Sequence, residues 1–132
     1  MRPSGWPERL TAYIESRRAA EFTWGEHDCC WFANGAVIAM TGVDRMPDYS
    51  YTTELGAARL IKRAGSLDAL VCRALGDSIH PAQAGRGDVV IADLENGSTL
   101  GICLGEMCAF AADVGGITFR PRSMIRSAWR IQ

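Results

Sequence analysis

The chain changes texture near Arg86, and that change constrains its fold more than any single motif. Before it, apolar residues recur at helical spacing; after it, they come in short runs rich in strand-favouring residues and punctuated by glycine. Helices gathered in the first half and strands in the second predict an α+β domain, because an α/β domain would alternate the two. At 132 residues, 48% hydrophobic and 22% charged, the sequence has the size and apolar content of one globular domain, and residues 1–132 are read as a single unit.

Pro7 followed by Leu10, Tyr13 and Ile14 predicts a first helix, with proline in its opening turn and Arg17 and Arg18 at its negative end. A bend at Gly25 leads to Asp28, placed as the N-cap of a second helix from Cys29 to about Thr41. Its inward face is Phe32, Ala33, Ala36, Val37 and Met40, and Gly42 stops it. A third helix is predicted through Leu55, Ala58, Leu60 and Ile61, closed by Gly65, and a short fourth from Leu67 to Leu75, ending at Gly76. Beyond Arg86, "GDVVIADL", "STLGICLG", "MCAFAA", "GGITFRP" and "AWRIQ" read as successive antiparallel strands, with turns at "ENGS" and at Gly115-Gly116.

Fourteen basic against fifteen acidic side chains give a formal net charge of -1, which supplies no long-range attraction to nucleic acid or to an anionic membrane. No window approaches the length of a membrane span, and the start lacks the apolar segment of a secretory signal, so synthesis in a cytoplasm is expected. Five cysteines form an odd set with no C-x-x-C pair, and thiols kept in a cytosol stay reduced, so structural disulfides are not expected.

The chemistry concentrates in "WGEHDCCWFANG", Trp24 to Gly35. A thiol on the first residue of a helix meets the positive dipole end and free backbone N–H groups, which favour thiolate. Cys29 is therefore the candidate nucleophile, with Asp28 as helix cap. Cysteine catalysis also needs a base that later protonates the leaving group. Only His27, two residues before the thiol, and His80, in the loop before the first strand, offer an imidazole. The competing reading makes Cys29 a small buried hydrophobe and His27 a residue that orders the turn through a backbone carbonyl or Asp28. Cys30, Cys72 and Cys103 read as core. His27, Cys29 or Cys30, Cys103 and Cys108 offer soft ligands in principle, but their spacing is that of no zinc knuckle, and no metal or cofactor is assigned.

Three segments, "HDCCWFANGAVIAMTG", "GRGDVVIAD" and "TLGICLG", resemble in order the motifs of NlpC-like cell-wall cysteine peptidases. That resemblance spans roughly residues 24 to 112 and implies a papain-like fold, helices packed on a C-terminal antiparallel sheet. The sequence is also similar over nearly its full length to a small prophage-encoded group with a Trp-Gly-x-His-Asp-Cys opening and a terminal Ala-Trp-Arg, matched by "WGEHDC" and "SAWR". Position by position, the resemblance makes Cys29 the nucleophile and aligns Gly87 and Asp88 with the strand-opening pair. It puts Thr99 where the peptidases carry their histidine, and the third polar residue falls near Ala111. Two functions follow. One is a virion tail-tip or tail-assembly component that uses the peptidase scaffold without catalysis, made in the bacterial cytoplasm and held in the virion tail by other tail proteins. The other is a cysteine peptidase or amidase cleaving peptidoglycan stem peptides during wall penetration, with Cys29 as nucleophile and His27 or His80 as base.

Overall fold

The computed structural model describes residues 1–132 and has the α+β architecture expected. Four helices, α1 (Trp6–Arg17), α2 (Cys29–Thr41), α3 (Glu54–Ala64) and α4 (Leu67–Leu75), precede five strands. The strands are β1 (Val89–Leu94), β2 (Gly97–Cys103), β3 (Met107–Ala111), β4 (Ile117–Pro121) and β5 (Ile125–Trp129). They form one antiparallel sheet in the order β4-β3-β2-β1-β5.

Local chemistry sets the helix ends. The side chains of Asp28, Thr53 and Ser66 each accept a backbone N–H in the first turn of α2, α3 and α4. Gly42 closes α2 at φ 76°, a conformation that a side chain disfavours. Gly35, in mid-helix, is explained by packing: the Tyr13 hydroxyl of α1 occupies the space a Cβ would need, and it donates to the Phe32 carbonyl at 2.8 Å.

The two faces of the sheet bury different clusters. Val89, Ile91, Leu100, Ile102, Ala109 and Trp129 face the helices, where Leu10, Phe32, Val37 and Met40 complete the main core. Val90, Ala92, Cys103, Cys108, Phe110 and Ala128 face the other way, beneath Ile79, Ala84 and Met124. Period-two alternation puts Val89 and Ile91 in one cluster and Val90 and Ala92 in the other, so β1 is buried on both faces. Its first neighbour, Asp88, ties the chain ends together. Its carboxylate accepts from Arg2 at 2.8 Å, from the Ile131 backbone at 3.0 Å and from the Gly85 backbone at 2.9 Å.

The third helix forms where expected; its inward residue is Ala57, whereas Ala58 is exposed and Leu55 is 59% exposed, because this peripheral helix packs mainly along α4 and presents only a narrow side. One expectation is corrected. Cys72 is exposed rather than core. Leu67, Leu70 and Val71 form the buried stripe of α4, and Cys72 lies off it by well over a quarter turn from Leu67.

At Gly101 β3 lies close against β2, since a Cβ there would collide with the Ala109 carbonyl and the Phe110 ring. Gly101→Ala is expected to cost about 1–3 kcal/mol through overpacking against backbone. Gly85→Ala, at ordinary φ with its nearest neighbour 3.8 Å away, is expected to stay within about 0.5 kcal/mol. Urea unfolding of the two variants checks this, and equal costs would contradict the close approach at Gly101.

Candidate functional site

The Asp28 carboxylate organises the start of α2. Oδ1 accepts from the Trp31 backbone at 3.0 Å and from the Tyr51 hydroxyl at 2.8 Å, and Oδ2 accepts from the Gly25 backbone at 2.8 Å. The residue is 1% exposed. One side chain thus caps the helix, closes the Trp24–His27 turn and fastens the α2–α3 connection. Gly25 has φ 84°, and a Cβ there would collide with the Tyr51 carbonyl, so the Trp-Gly step has a steric reason. Burial first, and then the neighbouring Cys30 and Asp28, hold the Tyr51 phenol far above its usual range, so Tyr51 acts as a fixed donor.

Cys29 lies half-buried on the first residue of α2, with its Sγ 3.9 Å from that of the buried Cys30. β2 pairs with β3 at Ile102 and Cys103, and the pairing does not extend back to Leu100, whose backbone stands beside the Cys29 thiol. The hydrogen bond from Cys30, followed by the Leu100 backbone, draws the Cys29 pKa below the ordinary thiol value against the cost of burial. Cys30 is pushed well above it by the same pairing and by burial. The arrangement favours a thiolate at a helix end.

Neither histidine is brought to that thiol. His27 is 1% exposed, and its Nε2 lies 2.8 Å from the Gly116 carbonyl while Arg17 Nε donates to Nδ1 at 3.3 Å. These partners place the ring proton on Nε2 and use the lone pair of Nδ1. The imidazole thus clamps the turn to the loop between β3 and β4, with its ring edge against Phe32. His80 is exposed and caps the 3-10 turn Pro81–Gln83, accepting from the Ala82 backbone at 3.1 Å. Its neighbours Ile79 and Ala84 pack on the face of the sheet opposite α2, so the loop does not fold over the helix end.

The strand register adds a constraint. Leu100 and Ile102 of β2 point to the helix face, and Cys103 points away, so Thr99 and Gly101 also point away. A base at position 99 would therefore sit on the wrong side of the sheet for Cys29. Ala111, near the third peptidase position, is buried among the helix-side residues. The soft-ligand set considered from sequence is likewise divided, Cys29 and Cys30 being on the helix side and Cys103 and Cys108 on the other. No group of three or more His, Cys, Asp or Glu side chains converges as a metal cage.

Sequence reasoning missed Tyr51, Arg17 and Gly116 as parts of this site. Tyr51 lies in a polar connection, and Arg17 reads as a helix-end charge. Gly116 contributes only its carbonyl, which carries no side-chain signal.

The shared carboxylate predicts coupling between Asp28 and Tyr51. Tyr51→Phe is expected to cost about 1–3 kcal/mol by depriving a buried carboxylate of a donor. Combined with Asp28→Ala it should cost less than the sum of the two, by about 0.5–3 kcal/mol. Denaturant unfolding of the four-member cycle measures this, and strict additivity would refute the hub.

No curated protein matches the chain. The family described as a domain of unknown function, DUF6950, matches residues 1–131. The chain belongs to that family, which carries no assigned activity, so any function must be argued from the site itself.

Proposed function

We propose that this domain is a phage or prophage virion tail-tip or tail-assembly component, built on an NlpC-like, papain-like scaffold and acting through protein contacts rather than catalysis. The observation that carries the non-catalytic part is the isolation of Cys29 from imidazole. His27 spends both ring nitrogens on Gly116 and Arg17, His80 stands across the sheet, and the β2 residues on the helix side are Leu100 and Ile102. A thiolate without a proton donor for the leaving group lacks half of what amide cleavage requires. The NlpC-like reading is supported by an Asp-Cys pair opening a helix that packs on the central strands of an antiparallel sheet. Placement in a virion tail and partnership with other tail proteins rest on the resemblance to the prophage-encoded group. Fold analogy alone does not assign an activity.

A second reading is favoured by one specific observation, the half-buried Cys29 thiol drawn toward thiolate at the start of α2. On that reading the domain is a cysteine peptidase or amidase acting on the peptide stems of peptidoglycan.

The two readings separate by mutation. If the domain is a scaffold, virions carrying Cys29→Ala assemble in normal number and infect normally. Phe32→Ala, which empties a core site of a fully buried ring, costs about 3–5 kcal/mol and lowers assembly. Particle counts and plaque titres provide the comparison. Cys29→Ala particles that assemble but no longer release stem peptides from purified peptidoglycan would instead establish the enzyme.

A further inference from the structure

Outside the α2 site, the second face of the sheet holds two thiols that the proposed function does not use. Cys103 ends β2 and Cys108 lies directly opposite it in β3, at 0% and 1% exposure. The Leu104 backbone donates to the Met107 carbonyl at 2.8 Å, which makes 104 and 107 a hydrogen-bonded pair and 103 and 108 the non-hydrogen-bonded pair beside it. At such positions the Cα atoms approach to about 4.5 Å and the side chains stand close on one face. That separation falls within the range of about 4.4–6.8 Å spanned by disulfides. Both sulfurs belong to one buried cluster, and both are thiols in this structure.

We propose that Cys103 and Cys108 form a reversible cross-strand disulfide site, oxidised by small two-electron oxidants of the peroxide class. The Cys103 thiolate attacks one oxygen of the peroxide. The O–O bond breaks, a sulfenic acid forms on Cys103, and the departing hydroxide leaves as water with the thiol proton. The Cys108 sulfur then attacks the sulfenic sulfur, forming the S–S bond as the S–O bond breaks, and the second water carries off the Cys108 proton. Two thiols together lose two electrons and two protons, and one peroxide becomes two waters.

The surroundings suit that order of events. Arg122, whose guanidinium donates to the Gly105 carbonyl at 3.2 Å and to the Ala84 carbonyl at 2.8 Å, brings a positive charge to the hairpin end. Closeness to Cys108, then the Gly105 backbone and Arg122, lower the Cys103 pKa to about 6, and Cys108 is raised by the same pairing and by burial; as a thiol, Cys103 donates to the Gly105 carbonyl at 3.5 Å. Cys103, whose sulfur lies against the Gly105 carbonyl that Arg122 also binds, is the side of the pair nearest that charge and is taken as the attacking thiolate, with Cys108 resolving. Because both are covered, oxidant entry requires a small molecule or a lift of the Ile79–Ala84 segment, and reaction is slower than at the exposed Cys72.

The test is a peptide map of the folded, monomeric protein after graded hydrogen peroxide, with free thiols blocked before digestion. The expected result is a linked peptide pair carrying Cys103 and Cys108, two hydrogens lighter than the reduced pair and restored by dithiothreitol. It should appear after Cys72 has reacted and persist in a Cys29→Ala, Cys30→Ala double variant. Recovery of Cys103 and Cys108 as free thiols once Cys72 is fully oxidised would overturn the proposal. So would their conversion to separate sulfonic acids, or a bond between Cys29 and Cys30 accounting for all the mass lost.

Discussion

The start of α2 depends on a single buried carboxylate. Asp28 is almost wholly removed from solvent, and water cannot pay for that burial, so protein donors must: two backbone N–H groups and one phenol meet its two oxygens. The consequence reaches well beyond a helix cap. The same three donors fix the turn before α2 and the connection after it, and that determines where Cys29 and His27 point.

Held this way, the turn aims its histidine away from its thiol. Arg17 and Gly116 saturate the ring, coupling α1, the α2 turn and the loop before β4 through one imidazole. Cys29 meets backbone and the Cys30 sulfur instead. A polar constellation that looks reactive in one dimension becomes, in three, mostly a set of satisfied structural bonds. What remains chemically distinctive is the helix-end thiol itself.

Much of the architecture was legible in sequence because it rests on local signals. Asp28, Gly42, Gly65 and Gly76 mark helix ends through backbone chemistry that tertiary context did not override. Short glycine-punctuated runs of strand-favouring residues likewise identified the strands. The error arose where a helix is covered on one narrow side: Cys72 is an apolar residue at plausible helical spacing, yet α4 lies at the periphery and leaves it in solvent. At the site, residue types pointed to Cys29, His27 and Asp28, but not to their bonding. His27 finds its carbonyl 89 residues away and Asp28 its phenol 23 residues away, and no periodicity encodes such partners. The direction of Thr99 is also a matter of register, which one residue of slip would reverse.

The central claim is that Cys29 has no imidazole partner. Its most direct test is the rate of alkylation of Cys29 as a function of pH, resolved by mass spectrometry, in the parent and in His27→Gln and His80→Ala. The account predicts a midpoint below the free-thiol value of about 8.5, since Cys30 and the helix end favour the thiolate, and the same midpoint in all three proteins. A midpoint that rises when either histidine is removed would reveal a working ion pair and contradict the account.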